Sequence, residues 1–190
     1  PGDSAPWPLG IPRLRLHADA PSRSALKLEE ALLTLLDDDE RRRLLQPGMR
    51  AADLGAAPGG WTWVLARHGL RVQAIDNGSL RQHVIDTGLV EHLHADGFHW
   101  QPQQVLDWMV CDMVEQPRRV AERMATWLRE GWCRQTIFNL KLPMKRRVDA
   151  VEQCRELIRK RLASVGPFDL RIKHLYHDRE EVTAFLTLKR

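Results

Sequence analysis

Two groups of residues have types and spacing that could do chemistry. The first is a glycine loop, Asp53-Leu54-Gly55-Ala56-Ala57-Pro58-Gly59-Gly60-Trp61, set after an apolar run and before a helical one. Glycines let a backbone approach a ligand closely. A Walker A loop would end in Gly-Lys-Ser/Thr, and the dinucleotide fingerprint would carry glycine where Ala57 stands. The loop is thus poorly suited to a pyrophosphate and suits a nucleoside without phosphates, such as S-adenosylmethionine. Asp76, 23 residues after Asp53, can accept both hydroxyls of a ribose, and Asp96-Gly97 is placed to meet an adenine edge. The second group is Lys27, Asp112, Lys141 and Glu181. Lys141 ends an apolar strand, where an ammonium needs partners.

The elements that would position these residues alternate. Ser22 or Ser24 can cap a helix running to about Leu45, with Ala25, Leu28, Leu32 and Leu35 or Leu36 on one face. Within it, Asp37 to Arg43 places acid four residues before base three times and reads as a solvated face. Strands are predicted at Met49–Leu54, Arg71–Ile75, about 90–95, Leu106–Met113 and Gln135–Leu140. Helices are predicted at Gly59–His68, 79–87, Pro117 to near Gly131, and Arg146–Ala163 with Val148, Val151, Leu157, Ile158 and Leu162 on one face. Leu170–Tyr176 and Val182–Leu188 read as a terminal hairpin around His177-Asp178-Arg179. Such alternation gives an α/β, Rossmann-like fold: a mostly parallel sheet, helices on both faces, and an antiparallel C-terminal hairpin. Neighbouring carboxyl ends of parallel strands share one crevice, which brings Asp112 and Lys141 together. Residues 1–21, with five prolines, read as a linker or arm in which Trp7 could dock on a surface, and residues 22–190 as one catalytic domain.

Composition narrows the classes. The 190 residues carry a net charge of +4, and 43% are apolar, which is ordinary globular composition. No apolar run reaches the ~18 residues of a membrane span, so no membrane partner is expected. Residues 96–190 hold 18 basic and 13 acidic residues, so an anionic partner is sought there. Lys145-Arg146-Arg147, just past Lys141, could contact RNA phosphates, and Arg118, Arg119 and Arg179 are weaker candidates. Cys111, Cys133 and Cys154 form no C-x-x-C pair, which points to a reducing, cytoplasmic setting and away from zinc. No acid or cysteine cluster joins His92, His94 and His99, so no metal is expected.

The residues together resemble the FtsJ-like ribose 2′-O-methyltransferases over about residues 20–190. The matching pieces are SRSALKLEEA, DLGAAPGGW, Asp112, Lys141 and Glu181. The Lys-Asp-Lys-Glu tetrad of that family falls on Lys27, Asp112, Lys141 and Glu181. Longer matches in WPLGIPRL, CDMVE-Q-P, GWCRQTIFNLKLPMK and LYHDREEVT are with members acting on 23S ribosomal RNA. The resemblance implies 2′-O-methylation of cytidine 2498 of 23S rRNA. It further implies cofactor contacts from Ser24, Gly55, Ala57, Pro58, Gly59, Gly60, Asp76, Asp96 and Asp112, and Lys141 as proton acceptor. Ala57 replaces a cysteine frequent in the family, at a position read through the backbone. The proline-rich start resembles the linker that joins an N-terminal RNA-binding region to the catalytic part, so the resemblance implies such a region outside this chain. With only +4 of charge, this part alone is expected to bind and methylate rRNA poorly.

The chemistry also stands on the residues. A 2′-hydroxyl must lose its proton as it attacks a methyl group. A neutral lysine could take it, but an isolated lysine, with a pKa of ~10.4, is protonated at neutral pH. Lys27 would disfavour a charged Lys141; Asp112 would favour it and orient it. Glu180 and Glu181 point to opposite sheet faces, and Glu181, directly before Val182 as in the family pattern, is taken to orient Lys27 or the ribose. The alternatives are a nicotinamide-dependent oxidoreductase, from the strand–glycine loop–helix unit and Asp76, and a non-catalytic RNA-binding module.

Overall fold

The computed structural model describes residues 14–189; Trp7 and most of the proline-rich arm lie outside them. The strands are β1 (Arg50–Leu54), β2 (Arg71–Ile75), β3 (Val90–Leu93), β4 (Leu106–Cys111), β5 (Cys133–Lys141), β6 (Phe168–Lys173) and β7 (Glu181–Leu188). The helices are α1 (Ala25–Leu35), α2 (Asp38–Leu44), α3 (Gly60–Arg67), α4 (Gln82–Ile85), α5 (Pro117–Arg129) and α6 (Arg147–Leu162). One sheet runs β3-β2-β1-β4-β5-β7-β6. Strands β1 to β5 are parallel, and β7 is antiparallel to both β5 and β6. The predicted hairpin therefore forms, with its second strand inserted between the first and β5.

Chain order reverses between β1 and β4, whose register sets Leu54 beside Cys111. In open α/β sheets the carboxyl-end crevice at such a reversal is where ligands bind. Alternate strand residues serve two apolar layers. Met109, Cys111, Phe138 and Leu140 pack with Val120, Met124, Trp127 and Leu128 of α5 and Cys154, Ile158 and Leu162 of α6. Trp108, Val110, Ile137 and Phe185 pack on the other side with Leu28, Leu32 and Leu35 of α1 and Val64 and Leu65 of α3. A strand covered on both faces reads as a continuous apolar run, as LDWMVC does.

Three expectations about elements are corrected. The first helix does not run to Leu45: Asp37 takes extended geometry and caps α2, accepting from Glu40 N at 2.8 Å while Glu40 Oε2 accepts from Asp37 N at 2.9 Å. This capping box starts a new helix instead of continuing the old one. The charged run is largely the solvated face the sequence predicts, with Asp37, Asp38, Asp39, Arg42 and Arg43 exposed and only Glu40 and Arg41 partly covered. Its pairs are spaced by three, Arg41 with Asp38 and Arg42 with Asp39. Glu40 binds Arg171 of β6 at 2.6 Å, and Arg41 donates to carbonyls at the end of α1. Neither Ser22 nor Ser24 caps α1 through its side chain, since their hydroxyls bond each other at 2.6 Å. Val148 is 75% exposed, off the buried face of α6, because that face turns on Cys154, Ile158 and Leu162.

Candidate active site

The side chains of β4, β5 and β7 that face α1 change character toward the carboxyl edge. Ile137 and Phe185 are apolar, Asn139 and Thr183 are buried and polar, and Lys141 and Glu181 end the ladder. Register pairs Asn139 with Thr183 and Lys141 with Glu181. Asp112 continues β4 by one residue on the same face, and Lys27 comes down from the first turn of α1.

These four form a ring of alternating charge. Lys141 Nζ donates to Asp112 Oδ1 at 2.9 Å and contacts Glu181 Oε2. Lys27 Nζ contacts Glu181 Oε1 and lies 4.0 Å from Asp112 Oδ2. Glu181 is 4% exposed and bridges both ammonium groups, whereas Glu180 points outward and pairs with Arg147. Each carboxylate thus meets both lysines, which half-buried charges require.

Electrostatics follow from this arrangement. Burial works to lower the Lys141 pKa, but Asp112 and Glu181 outweigh it and hold it above the ordinary lysine value. Burial works to raise Asp112, but Lys141, Lys27 and the Asn139 amide outweigh that and hold it below the ordinary range. Of the two opposed influences named from the sequence, the carboxylates prevail over the like charge of Lys27, and Lys141 is held in its charged form.

A supporting layer was not singled out in the sequence. Asn139 Nδ2 donates to Asp112 Oδ1 at 3.0 Å, while its Oδ1 lies 2.7 Å from the Thr183 hydroxyl. That hydroxyl also lies 3.0 Å from Asp178 Oδ2, whose pKa burial pushes up to about 6. Period-two spacing was the available signal, because Asn139 precedes Lys141 by two and Thr183 follows Glu181 by two.

Beside the ring, the glycine loop leaves β1 at the strand reversal. Gly55 has φ of +77°, and a Cβ there would overlap the Met113 side chain that follows Asp112. Gly60 sits against the hydroxyls of Ser22 and Ser24, with no room for a Cβ, and Trp61 Nε1 donates to Ser24 O at 2.9 Å. The loop, Ser24 and the start of α1 are thereby locked together. The Ala57–Pro58 peptide is cis. Asp76 directly follows β2, with Oδ2 accepting from Ala57 N at 2.9 Å and Oδ1 from Gly78 N at 2.7 Å. Each oxygen keeps a lone pair for another donor. Asp96 lies three residues past β3, exposed, and accepts from Phe98 N at 2.9 Å and contacts His99 Nδ1 at 2.5 Å. The His99 contact holds its pKa down. The neighbouring Gly97 is close enough that its Cβ would come within 3.0 Å of Gly55 N. Asp53, 1% exposed, accepts from the Thr62 hydroxyl at 2.7 Å, and burial pushes its pKa up to about 7.

Lys145, Arg146 and Arg147 are exposed just beyond Lys141. Arg147 is paired with Glu180, while Lys145 and Arg146 have no ion pair among the described residues. Among the described residues no three His, Cys, Asp or Glu groups are arranged to hold a metal ion. His92 contacts Asp76 O at 3.0 Å and stacks near His94. All three cysteines are buried and free.

The chain is 73% identical over 186 residues to a ribosomal RNA large subunit methyltransferase M of Azoarcus sp. (strain BH72), covering 98% of this chain and 51% of that protein. It is 70% identical over 190 residues to the protein of the same description from Thauera aminoaromatica, covering 100% of this chain and 52% of that one. The chain thus spans about half the length of these curated relatives. Its fold resembles Aeropyrum pernix fibrillarin, solved with bound S-adenosyl-L-methionine, with a TM-score of 0.55, 16% identity, and coverage of 85% of this chain and 74% of that one. Residues 20–188 match the profile of a family described as FtsJ-like methyltransferase. With nearly every described element inside that match, the chain belongs to the FtsJ-like methyltransferase family.

Proposed function

We propose that this chain methylates a ribose 2′-hydroxyl of ribosomal RNA, cytidine 2498 of 23S rRNA, with Lys141 as the proton acceptor. The observation that carries this reading is the ring of Lys27, Asp112, Lys141 and Glu181, set beside a glycine loop at the strand reversal. The relatives' printed description, ribosomal RNA large subunit methyltransferase M, supports the substrate class.

The cofactor is S-adenosylmethionine, which supplies an electrophilic methyl group when bound. The residues fit it. Asp76 retains lone pairs for a ribose diol, the backbone of Gly55 to Gly60 is bare enough for close approach, and the turn at Asp96-Gly97 packs on that loop. The same loop has Ala57 where a dinucleotide site carries its second glycine, which weighs against a nicotinamide oxidoreductase.

Lys141 in its neutral form takes the hydroxyl proton: the O–H bond breaks, an N–H bond forms, and the oxygen is freed to attack. Asp112 and Glu181 fix the amine in place, and Asn139 and Thr183 fix Asp112 in turn. Positioning of this kind contributes more than acid–base strength where attack must be in line. The same carboxylates keep most of Lys141 protonated, so the reactive fraction grows with pH.

Two measurements test the reading. Calorimetry is expected to show binding of S-adenosylmethionine and none of NAD; the reverse would overturn it. Labelled methyl transfer to 23S rRNA is expected to be lost in Lys141→Ala while cofactor affinity stays within about threefold. Full transfer by that variant would reject Lys141 as the base.

A further inference from the structure

Three large side chains on loops at the carboxyl edge, the edge that carries the ring, are exposed to water. Val114 is 93% exposed, Met144 90% and Tyr176 68%. Val114 follows Asp112 by two residues, Met144 follows Lys141 by three, and Tyr176 precedes Glu181 by five. Each is on a different loop, and register places all three loops at the carboxyl edge of the sheet.

The Tyr176 loop is built rather than loose. Glu30 of α1, 2% exposed, accepts from Tyr176 N at 2.7 Å and from His177 N at 2.9 Å, and also contacts His177 Nδ1 at 2.7 Å. Asp178, 6% exposed, accepts from Leu175 N at 3.0 Å. Two buried carboxylates therefore hold the backbone on both sides of Tyr176, while the ring stands in solvent, edge-on to His177. Core packing and loop closure do not need an outward ring there. The exposed cations Lys145 and Arg146 directly follow Met144, and Arg179 lies in the Tyr176 loop.

We propose that Tyr176 is a stacking platform for an unpaired nucleobase of the RNA strand at the reacting ribose, with Met144 and Val114 as the apolar walls facing it. This deepens the reading of the site as a ribose methyltransferase and rests on it. Unstacked bases splayed on aromatic side chains, with the backbone tracked by cations, are how single-stranded RNA is gripped. A preformed loop loses little freedom on binding, which is the use of spending Glu30 and Asp178 on it.

Tyr176 is the single tyrosine of the chain, so fluorotyrosine labelling of the whole chain gives one ¹⁹F resonance. That resonance is expected to shift on adding oligocytidylate and to stay unmoved on adding an abasic strand of equal length. Tyr176→Ala is expected to weaken oligocytidylate binding roughly 5- to 100-fold while leaving abasic-strand binding and S-adenosylmethionine affinity unchanged. Tyr176→Phe is expected to restore it. An unmoved resonance, or equal binding of both strands by the Ala variant and the native chain, would overturn the proposal. Ribose methylation with an unmoved resonance sinks the platform alone. A shifted resonance with undiminished methylation by Lys141→Ala sinks the base assignment and leaves the platform standing.

Discussion

Lys141 sits between two carboxylates that favour its charged form, yet the proposed chemistry uses its neutral form. The conflict makes a pH prediction. With the Lys141 pKa above the ordinary lysine value, single-turnover methylation should rise about tenfold per pH unit from neutral into alkaline solution. Glu181→Gln removes one negative neighbour, so the Lys141 proton is held less tightly and the rising limb should move to lower pH. A pH profile identical to the native one would separate Glu181 from Lys141. Asp53 gives a stability prediction of the opposite sign. Its folded pKa of about 7 stands above the 3.8 of the free group, so between these values the folded state binds a proton that the unfolded state lacks. Stability then falls as pH rises from about 4 to about 7, and the cost of the buried charge is complete above that. Asp53→Asn escapes the cost, so denaturant titrations should show an advantage on the order of a few kcal/mol at pH 8 that fades toward pH 4.

At the scale of elements, the site depends on α1 and α3 meeting at Gly60. A methyl group at Gly60 would meet the hydroxyls of Ser22 and Ser24, displacing the start of α1 and with it Lys27. Gly60→Ala is therefore expected to weaken S-adenosylmethionine binding at least tenfold by calorimetry, while circular dichroism stays native; unchanged affinity would count against the lock. Much of this layer was legible in the sequence. Short apolar runs such as LDWMVC marked the strands, and DLGAAPGGW marked the strand–loop–helix unit. Three things were not. The break at Asp37 hid inside a good helical pattern, because a capping box and a run of spaced charges share the same residues. The insertion of β7 between β5 and β6 is set by pairing across the chain, which local pattern does not carry. Val148 fits the helical period but lies in the first turn of α6, before the buried positions Cys154, Ile158 and Leu162, and faces solvent. The balance of charge at Lys141 was left open for a related reason: the sequence names its neighbours but not which lie nearest.

At the scale of the whole molecule, the two edges of the sheet differ. The carboxyl edge gathers the charge ring, the glycine loop and the exposed apolar rim. At the amino edge Arg50, Arg71 and Gln104 line a cleft of about 390 Å³ that shares no residue with the ring. RNA is thus expected at the carboxyl edge. Lys145→Ala and Arg146→Ala should each weaken RNA binding and lower the slope of log affinity against log salt by about 0.7 to 0.9, whereas Arg71→Ala should leave the slope as it is. Equal effects from both edges would mean that RNA is held without preference for the site. The central claim is that the four-charge ring is a ribose methyl-transfer centre whose base is Lys141. Lys141→Arg tests it most directly, since arginine keeps the positive charge between Asp112 and Glu181 but does not give up its proton. Mapping 2′-O-methyl groups on 23S rRNA after incubation with S-adenosylmethionine should show the mark with the native chain, at the low yield expected of this part alone, and none with Lys141→Arg. A mark of equal yield from the arginine variant, or a native mark on a base instead of a ribose, would contradict the account.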